Sequence, residues 1–264
     1  MTTAHSRARR IAVTAAVWMC RVGVIAAVAW WMEIAPGRWV SIFAVAKPSS
    51  IAAEFGRQFG ESFFYRAVLT TVFHSVVALI AASIAGILGA WLLWSSVTTR
   101  RLISPYLIAA YSTPRIVFLP LFIFWFGFGS GTVLIYAIIA CFFIFIFNSL
   151  EGFDAAGRRL VGVMSVIGLN KWQMLKYCLV PSARGYILAA ALVAFPTAVL
   201  AAIMGEMILG GGLGGWILLE RGKFSTTGLY TATTAATVVG AILNTLAQWT
   251  GVILRKRMGD ESAR

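Results

Sequence analysis

Six long apolar runs divide this chain, and they limit the folds that it can adopt. A helix that crosses a bilayer needs roughly 20 mostly apolar residues, because the hydrocarbon layer is about 30 Å thick and offers no water to unpaired backbone groups. The runs occupy residues 11–32, 67–94, 106–126, 132–147, 187–209 and 229–254. We therefore predict an all-α, polytopic membrane protein with about six transmembrane helices.

The composition supports one membrane domain without an attached soluble domain. Of the 264 residues, 60% are hydrophobic and 12% are charged, whereas soluble domains have about 45–50% and about 25%. No low-complexity tract or Pro/Ser-rich linker separates the runs. We predict a permease-like domain over residues 11–254, between a short tail at residues 1–10 and a basic tail at residues 255–264.

The net charge of +13 would also suit a nucleic-acid-binding protein, so the positions of the charges matter more than their sum. Most Lys and Arg residues lie at the ends of the apolar runs. With the N-terminus inside and six spans, fourteen of them fall on the cytoplasmic side and six on the outside. This excess satisfies the positive-inside rule and predicts cytoplasmic N- and C-termini. We expect contact with a lipid bilayer and none with nucleic acid.

Motifs of enzymes and metal sites are missing from the sequence. There is no G-x-x-x-x-G-K-[ST] loop, no H-E-x-x-H and no G-x-S-x-G, and the three cysteines and two histidines stand apart from one another. We predict no catalytic residue, no metal site and no bound cofactor. The glycine-rich run at residues 210–215 lacks the Lys-Ser/Thr of a phosphate loop, so we predict a flexible external turn there.

A glycine-centred break lies in the longest polar stretch between the runs. Apolar residues recur at helical spacing over residues 158–167, the pattern stops at Gly168, and a second helix opens at Asn170. The second helix is predicted to end before Pro181. Charge bias places this loop, about residues 148–186, in the cytoplasm. A short helix, a turn and another helix at such a place predict a docking element.

Ionisable residues also occur within the runs themselves. A charge at the centre of a spanning helix costs about 2.5–3.5 kcal/mol on insertion scales. Glu206 could line a translocation path or pair with Arg115; equally, it could reach the outer surface or bond to a neighbouring helix. Arg115 could gate a path or bind an anion, or it could extend toward lipid headgroups. Arg21, near the middle of the first run, has no obvious partner in the sequence.

A stripe of small residues and three prolines lead to two further predictions, one about helix packing and one about helix kinks. Residues at four-residue spacing in the second run form a stripe that lets another helix approach closely: Ala78, Ala82, Gly86 and Ala90. Three prolines are expected to kink the third and fifth spans: Pro114, Pro120 and Pro196.

Three segments together resemble a known family. Residues 114–129, PRIVFLPLFIFWFGFG, look like the "PRIALxPLFILWFGxG" segment of ABC importer permeases of the nitrate, sulfonate and taurine group. Asn148 and Gly152, then residues 168–173 and 180–181, resemble the cytoplasmic "EAA…G" signature of that family, which ends in "LP". Residues 205–214 are similar to its "AEM…GLG" ending. The resemblance covers roughly residues 65 to 255.

The resemblance implies a type I ABC importer permease fold, in which the cytoplasmic loop forms a coupling helix that seats in a groove of a separate ATPase. Carried over by position, the ATPase contact would be made by Val163, Met164, Ile167, Gly168, Leu169, Asn170, Lys171 and Trp172. The signature glutamate is replaced by Gly162, which weakens the first helix by roughly 1 kcal/mol relative to Ala and puts the ATPase contact in question.

The function that the resemblance implies is transport across a bacterial inner membrane. The chain would be the permease subunit of an ATP-driven importer, paired with a second permease subunit, a cytoplasmic ATPase dimer and an extracytoplasmic substrate-binding protein. ATP would be used by the ATPase, and the solute would be a sulfonate-, taurine- or nitrate-type anion. Two alternatives remain open from the sequence: a self-contained secondary transporter or channel, and a non-transporting membrane assembly factor.

Overall fold

The computed structural model describes the backbone of residues 2–257 and the side chains of residues 16–155 and 168–256. It is 87% helical, and the described residues form no strand, so the predicted all-α fold is confirmed. The helices are α1 Thr2–Ile34, α2 Pro48–Phe59, α3 Ser62–Ser95, α4 Val97–Ser112, α5 Leu119–Phe126, α6 Ser130–Ile167, α7 Lys171–Met174, α8 Val180–Ser182, α9 Arg184–Leu209, α10 Gly212–Gly222 and α11 Thr226–Arg257. A 3₁₀ turn covers Arg115–Phe118, and a π turn covers Leu175–Leu179.

Five helical segments are long and apolar enough to cross a membrane, and a bent pair of helices would make a sixth. The bent pair replaces the predicted third span. Its two parts, Val97–Ser112 and Arg115–Phe126, meet at 97°, which is a break and not the kink that we predicted. The cause is local: Thr113 precedes a proline and is extended, at φ −76° and ψ 134°, and Pro114 has no N–H to continue the helix.

The chain divides into two compact units. The first comprises Met1–Glu61 with Leu219–Thr233, and the second comprises Ser62–Leu218 with Thr234–Arg264. Within the first unit, Ser49 donates two hydrogen bonds to the Glu33 carboxylate, from its backbone N–H at 3.1 Å and its hydroxyl at 2.6 Å. The candidate functional residues lie in the second unit. The prediction of a single permease domain between two tails stays a prediction.

Helices α3, α6 and α9 form the core of the second unit. The small residues of the predicted stripe on α3 are all buried, and Gly86 lies so close to α6 that an added Cβ would overlap Phe145. The stripe therefore packs against a helix of the same chain. Alanines of α9, including Ala190, Ala194 and Ala198, join the same core with Phe145. Close packing of small residues replaces the hydrophobic driving force that is absent between helices in lipid.

The second helix of the polar loop does not end before Pro181, so that prediction is wrong. α7 passes directly into the π turn and then into α8, with the Val180 N–H donating to the Leu175 carbonyl. Pro181 lies within the first two residues of α8, directly after the π turn. The helical path thereby continues to Ser182.

Candidate functional site

Glu206 lies in the last turn of α9 and is completely buried. Thr71 of α3 donates its hydroxyl to the Glu206 Oε2 at 2.7 Å, and His74 Nδ1 lies 2.8 Å from the Oε1. The backbone N–H of Gly214, in the first turn of α10, donates to the Oε2 at 3.1 Å. The carboxylate is thus held by two helices besides its own, and none of its described contacts joins it to Arg115.

Two features of the sequence build this enclosure. Thr71 and His74 are three residues apart on α3, so they share one helix face. At the end of α9, Gly210 and Gly211 adopt positive φ angles of 86° and 84°, which turns the chain so that α10 begins beside the carboxylate. Thr71 Oγ1 also accepts a hydrogen bond from the Leu213 N–H at 2.9 Å, which ties α10 to α3.

The glycines of α10 are required by this close approach. A Cβ at Gly212 would overlap the Glu206 carboxylate, and one at Gly214 would overlap the carbonyl oxygen of Ile203. We predicted a flexible turn over residues 210–215, but the turn covers only Gly210 and Gly211. Residues from Gly212 onward are helical and packed, so the prediction is wrong for them. The enclosure favours a structural role for Glu206; its predicted place on a translocation path stays a prediction.

Arg115 occupies a different environment, directly after the break at Pro114. Its Cζ lies 5.5 Å from the centroid of the Tyr111 ring, a cation–π geometry. Its Nε is buried and has no hydrogen-bond partner among the described residues. A cavity of about 400 Å³ adjoins it, walled by α4, α6, α9 and the 3₁₀ turn.

The glycine-centred loop forms as predicted from its local pattern. Helix α6 ends at Ile167, and Gly168 is exposed in the left-handed conformation at φ 71°, which suits glycine. Asn170 caps α7 by accepting from the Gln173 N–H at 2.8 Å, and the Gln173 side chain accepts from the Asn170 N–H at 3.0 Å. This reciprocal pair is a capping box.

The proposed ATPase-coupling residues are only partly described. The side chains of Val163, Met164 and Ile167 lie outside the described residues. Gly168, Asn170, Lys171 and Trp172 are exposed, and Leu169 is half-buried. The Trp172 ring is 55% exposed and meets Trp91 of α3 edge to face at 5.7 Å. The loop is thus attached to the membrane helices through this tryptophan pair and through Leu175 and Leu179, which are buried against α3 and α6.

Sequence reasoning missed two members of the Glu206 cluster. His74 stands apart from the other histidine and was interpreted as a hydrogen-bonded intramembrane residue without a named partner, and Thr71 was not singled out, yet both contact the carboxylate. A signal was present, because a His and a Thr within one turn of an apolar helix are polar groups that each need a partner. Among the described residues, no group of three or more His, Cys, Asp or Glu could hold a metal ion.

The sequence pattern of the family described as "Binding-protein-dependent transport system inner membrane component" matches residues 78–260. This range contains the Pro114 break, the Gly168 loop and Glu206. Thr71 and His74, two of the side chains that hold Glu206, precede it.

Curated proteins with similar sequences are all transport permeases by name. The riboflavin transport system permease protein RibX of Chloroflexus aurantiacus is 28% identical over 55% of this chain and 54% of its own length. The formylaminopyrimidine transport permease protein ThiX of Halalkalibacterium halodurans is 26% identical, over 56% and 59%. This chain therefore spans little more than half the length of these two relatives. The putative aliphatic sulfonates transport permease protein SsuC of Bacillus subtilis is 24% identical, over 76% and 72%.

A solved structure shares the fold. A chain of the MetNI methionine ABC transporter in an inward-facing conformation aligns with a TM-score of 0.64 and 18% identity, over 74% of this chain and 96% of that one. At this identity the likeness shows the fold alone, and that fold is the type I ABC importer permease fold.

Proposed function

Because this chain belongs to the family of binding-protein-dependent transport system inner membrane components, we propose that it forms the translocation path of an ATP-driven importer for a small solute. The observation that carries the proposal is the family match over residues 78–260, which spans most of the second compact unit. The chain is a multi-pass ABC importer permease subunit of the inner membrane, and subunits of this family are not themselves catalytic. The proposed orientation has both termini in the cytoplasm.

The partners that we propose are a cytoplasmic ATPase dimer, a second permease subunit and an extracytoplasmic substrate-binding protein. Residues 168–172 would seat in the ATPase groove, together with Val163, Met164 and Ile167. An exposed tryptophan supports this proposal, because Trp172 presents a large apolar ring outside the helix core and tryptophan is enriched among residues that dominate interface energies. Its edge contact with Trp91 offers a route for force from the ATPase to α3.

For the substrate we propose a sulfonate-, taurine- or nitrate-type anion. Among the three relatives described above, the one that aligns over 76% of this chain is named for aliphatic sulfonates, while the two others are named for riboflavin and formylaminopyrimidine. Arg115 supports an anion, since it is a cation at the break of a candidate span and has no described hydrogen-bond or ion-pair partner.

The coupling proposal is tested by affinity for an ATPase subunit co-expressed from the same importer operon. Trp172→Ala removes the exposed ring, and we expect roughly 30-fold weaker binding, as for an interface hot spot worth about 2 kcal/mol. Trp249→Ala is the matched control, because Trp249 of α11 is 71% exposed and lies outside the loop. Equal affinity of the folded Trp172→Ala chain and the wild type would remove Trp172 from the contact.

Transport itself is tested in proteoliposomes that hold the permease, the ATPase and the binding protein. We expect uptake of radiolabelled taurine or an alkanesulfonate only when ATP is supplied to the ATPase side. Uptake by the permease alone, driven by an ion gradient, would contradict the proposal and favour a secondary transporter. Uptake of riboflavin in place of the anion would overturn the substrate class and leave the permease assignment in place.

A further inference from the structure

The cavity beside Arg115 lies part-way along the helices and is open on one side, where Tyr111, Ile116 and Leu200 of its wall are exposed. Tyr136, which lines it, is six residues after the start of α6, and Leu200 and Met204 are nine and five residues before the end of α9. At 1.5 Å per helical residue, these positions lie roughly 7–14 Å inside the ends of their helices. Helices α6 and α9 belong to segments long and apolar enough to cross a membrane, so the cavity lies beside the middle part of candidate spans and away from their ends.

The polar groups around the cavity are mostly already used. Three lining hydroxyls donate to carbonyls of their own helices, so their protons are not available to a ligand: Ser112 to Ile108 at 2.9 Å, Thr113 to Ala109 at 3.0 Å and Thr197 to Val193 at 3.1 Å. Among the described residues that line the cavity, none carries a carboxylate. The positive charge of Arg115 is therefore not neutralised by the cavity wall.

Two hydrogen-bond donors remain. The Arg115 guanidinium makes no hydrogen bond or ion pair among the described residues, although its Nε is buried. The Tyr136 side chain is only 4% exposed, and its hydroxyl has no hydrogen-bond partner in the described part of the chain. A guanidinium offers five N–H donors in a planar fork that matches carboxylate, sulfonate and phosphate oxygens. A buried donor such as the Arg115 Nε is normally satisfied, so the cavity is an incomplete polar site.

We propose that this cavity binds the anionic head of a small organic solute, with Arg115 and Tyr136 as the donors. The inference rests on the proposed transport function and assigns the solute a place within the membrane domain. A sulfonate, carboxylate or phosphate oxygen pair fits the guanidinium fork. The rest of the wall includes Ile116, Leu200 and Met204, which suit a short aliphatic chain. A volume of about 400 Å³ is in the range of small-molecule sites, roughly 300–1,000 Å³.

The test measures binding to the purified full-length permease in dodecyl maltoside, without ATPase or binding protein. The probe is radiolabelled butanesulfonate in equilibrium dialysis, and the neutral isostere is butanesulfonamide. We expect saturable binding of the sulfonate and weak binding of the sulfonamide. Arg115→Gln is expected to weaken sulfonate binding at least about tenfold, with Arg115→Lys intermediate because lysine keeps the charge and loses the fork. Tyr136→Phe is expected to weaken it by about three- to tenfold, as loss of one hydrogen bond does.

Control variants and a second ligand source complete the design. Arg21→Gln removes another intramembrane arginine, which also lies over a ring, 5.3 Å from the Trp18 centroid, and it should bind as the wild type does. A lipid headgroup has the same anionic chemistry, so short-chain phosphatidylglycerol is added as a competitor. If phosphatidylglycerol binds in an Arg115-dependent way and butanesulfonate does not, the solute assignment is overturned in favour of a lipid site.

Two further results would overturn the proposal outright: no saturable sulfonate binding by the wild-type chain, or equal affinity of folded Arg115→Gln, with folding checked by gel filtration and circular dichroism. The outcome is separable from that of the proposed function, because this binding needs no ATPase. A permease that couples to its ATPase but shows no Arg115-dependent binding loses only the anion site.

Discussion

Glu206 and Arg115 are both ionisable residues within apolar segments of the second unit, but they differ in the hydrogen bonds that the protein offers them. The Glu206 carboxylate is fully buried and is contacted by Thr71, His74 and the Gly214 N–H. The Arg115 Nε is buried beside a cavity and has no hydrogen-bond partner in the described part of the chain. A buried ionisable side chain whose hydrogen bonds are all made within the protein contributes to stability. One whose donors have no partner in the protein is available to bind a ligand.

The difference originates in the backbone at each position. Beyond Glu206 the glycine turn brings the Gly214 N–H, in the first turn of α10, onto the carboxylate, where a helix N-terminus favours negative charge. At Arg115, the break at Pro114 ends one helix, and the nearby hydroxyls of Ser112 and Thr113 donate to carbonyls of that helix. Because these hydroxyl protons are donated to carbonyls of the same helix, the Arg115 guanidinium and the Tyr136 hydroxyl are the side-chain donors left to face the cavity.

The largest effect is expected at Glu206. Glu206→Ala leaves Thr71, His74 and the Gly214 N–H without their shared acceptor, so we expect the free energy of unfolding to fall by about 3–5 kcal/mol. Unfolding is followed by tryptophan fluorescence during titration with sodium dodecyl sulfate. Glu151→Ala, at an exposed position of α6, is the control and should change it little. A Glu206→Ala chain as stable as the wild type would break the comparison.

Gly214 tests whether the enclosure depends on the backbone turn as well as on the carboxylate. Gly214→Ala places a Cβ against the Ile203 carbonyl and the Met207 N–H, both rigid backbone groups, so we expect a loss of about 1–3 kcal/mol. Gly131→Ala is the matched control, since a Cβ there meets nothing within 4 Å. The same detergent titration measures both. Equal stability of the two variants would mean that α10 shifts freely and that the enclosure is loose.

Local patterns predicted the elements, but not the contacts that join them. The apolar runs and the Gly168 break follow from residues near one another in sequence, which is why the spans and the start of α7 at Asn170 could be predicted. The Glu206 partners Thr71 and His74 are 135 and 132 residues away, so only the packing of α3 against α9 brings them together. Pro114 was expected to kink a span. The effect of a proline on a helix depends on whether neighbours satisfy the freed backbone groups, and the sequence did not contain that information.

Substitution of Arg115 is expected to change stability little, in contrast to substitution of Glu206. Arg115→Met removes a charge that has no hydrogen-bond or ion-pair partner among the described residues and loses the contact with the Tyr111 ring, so we expect the free energy of unfolding to change by about 1 kcal/mol or less. The detergent titration used for Glu206 measures it. A decrease in the free energy of unfolding as large as that of Glu206→Ala would show that Arg115 stabilises the fold. That result would contradict the proposal that the cavity is a ligand site.

The smallest effect is expected for a charge pair that is formed but exposed. Arg100 of α4 donates two hydrogen bonds to Asp154 of α6, at 2.9 and 2.8 Å, yet their side chains are 41% and 34% exposed. Water screens such a pair, so Arg100→Gln should lower the free energy of unfolding by about 0.5 kcal/mol or less in the same titration. Arg101→Gln, a neighbouring exposed cation, is the matched control. Because Arg100 is paired as closely as Glu206, a loss approaching that of Glu206→Ala would mean that pairing alone, and not enclosure, distinguishes Glu206 from Arg115.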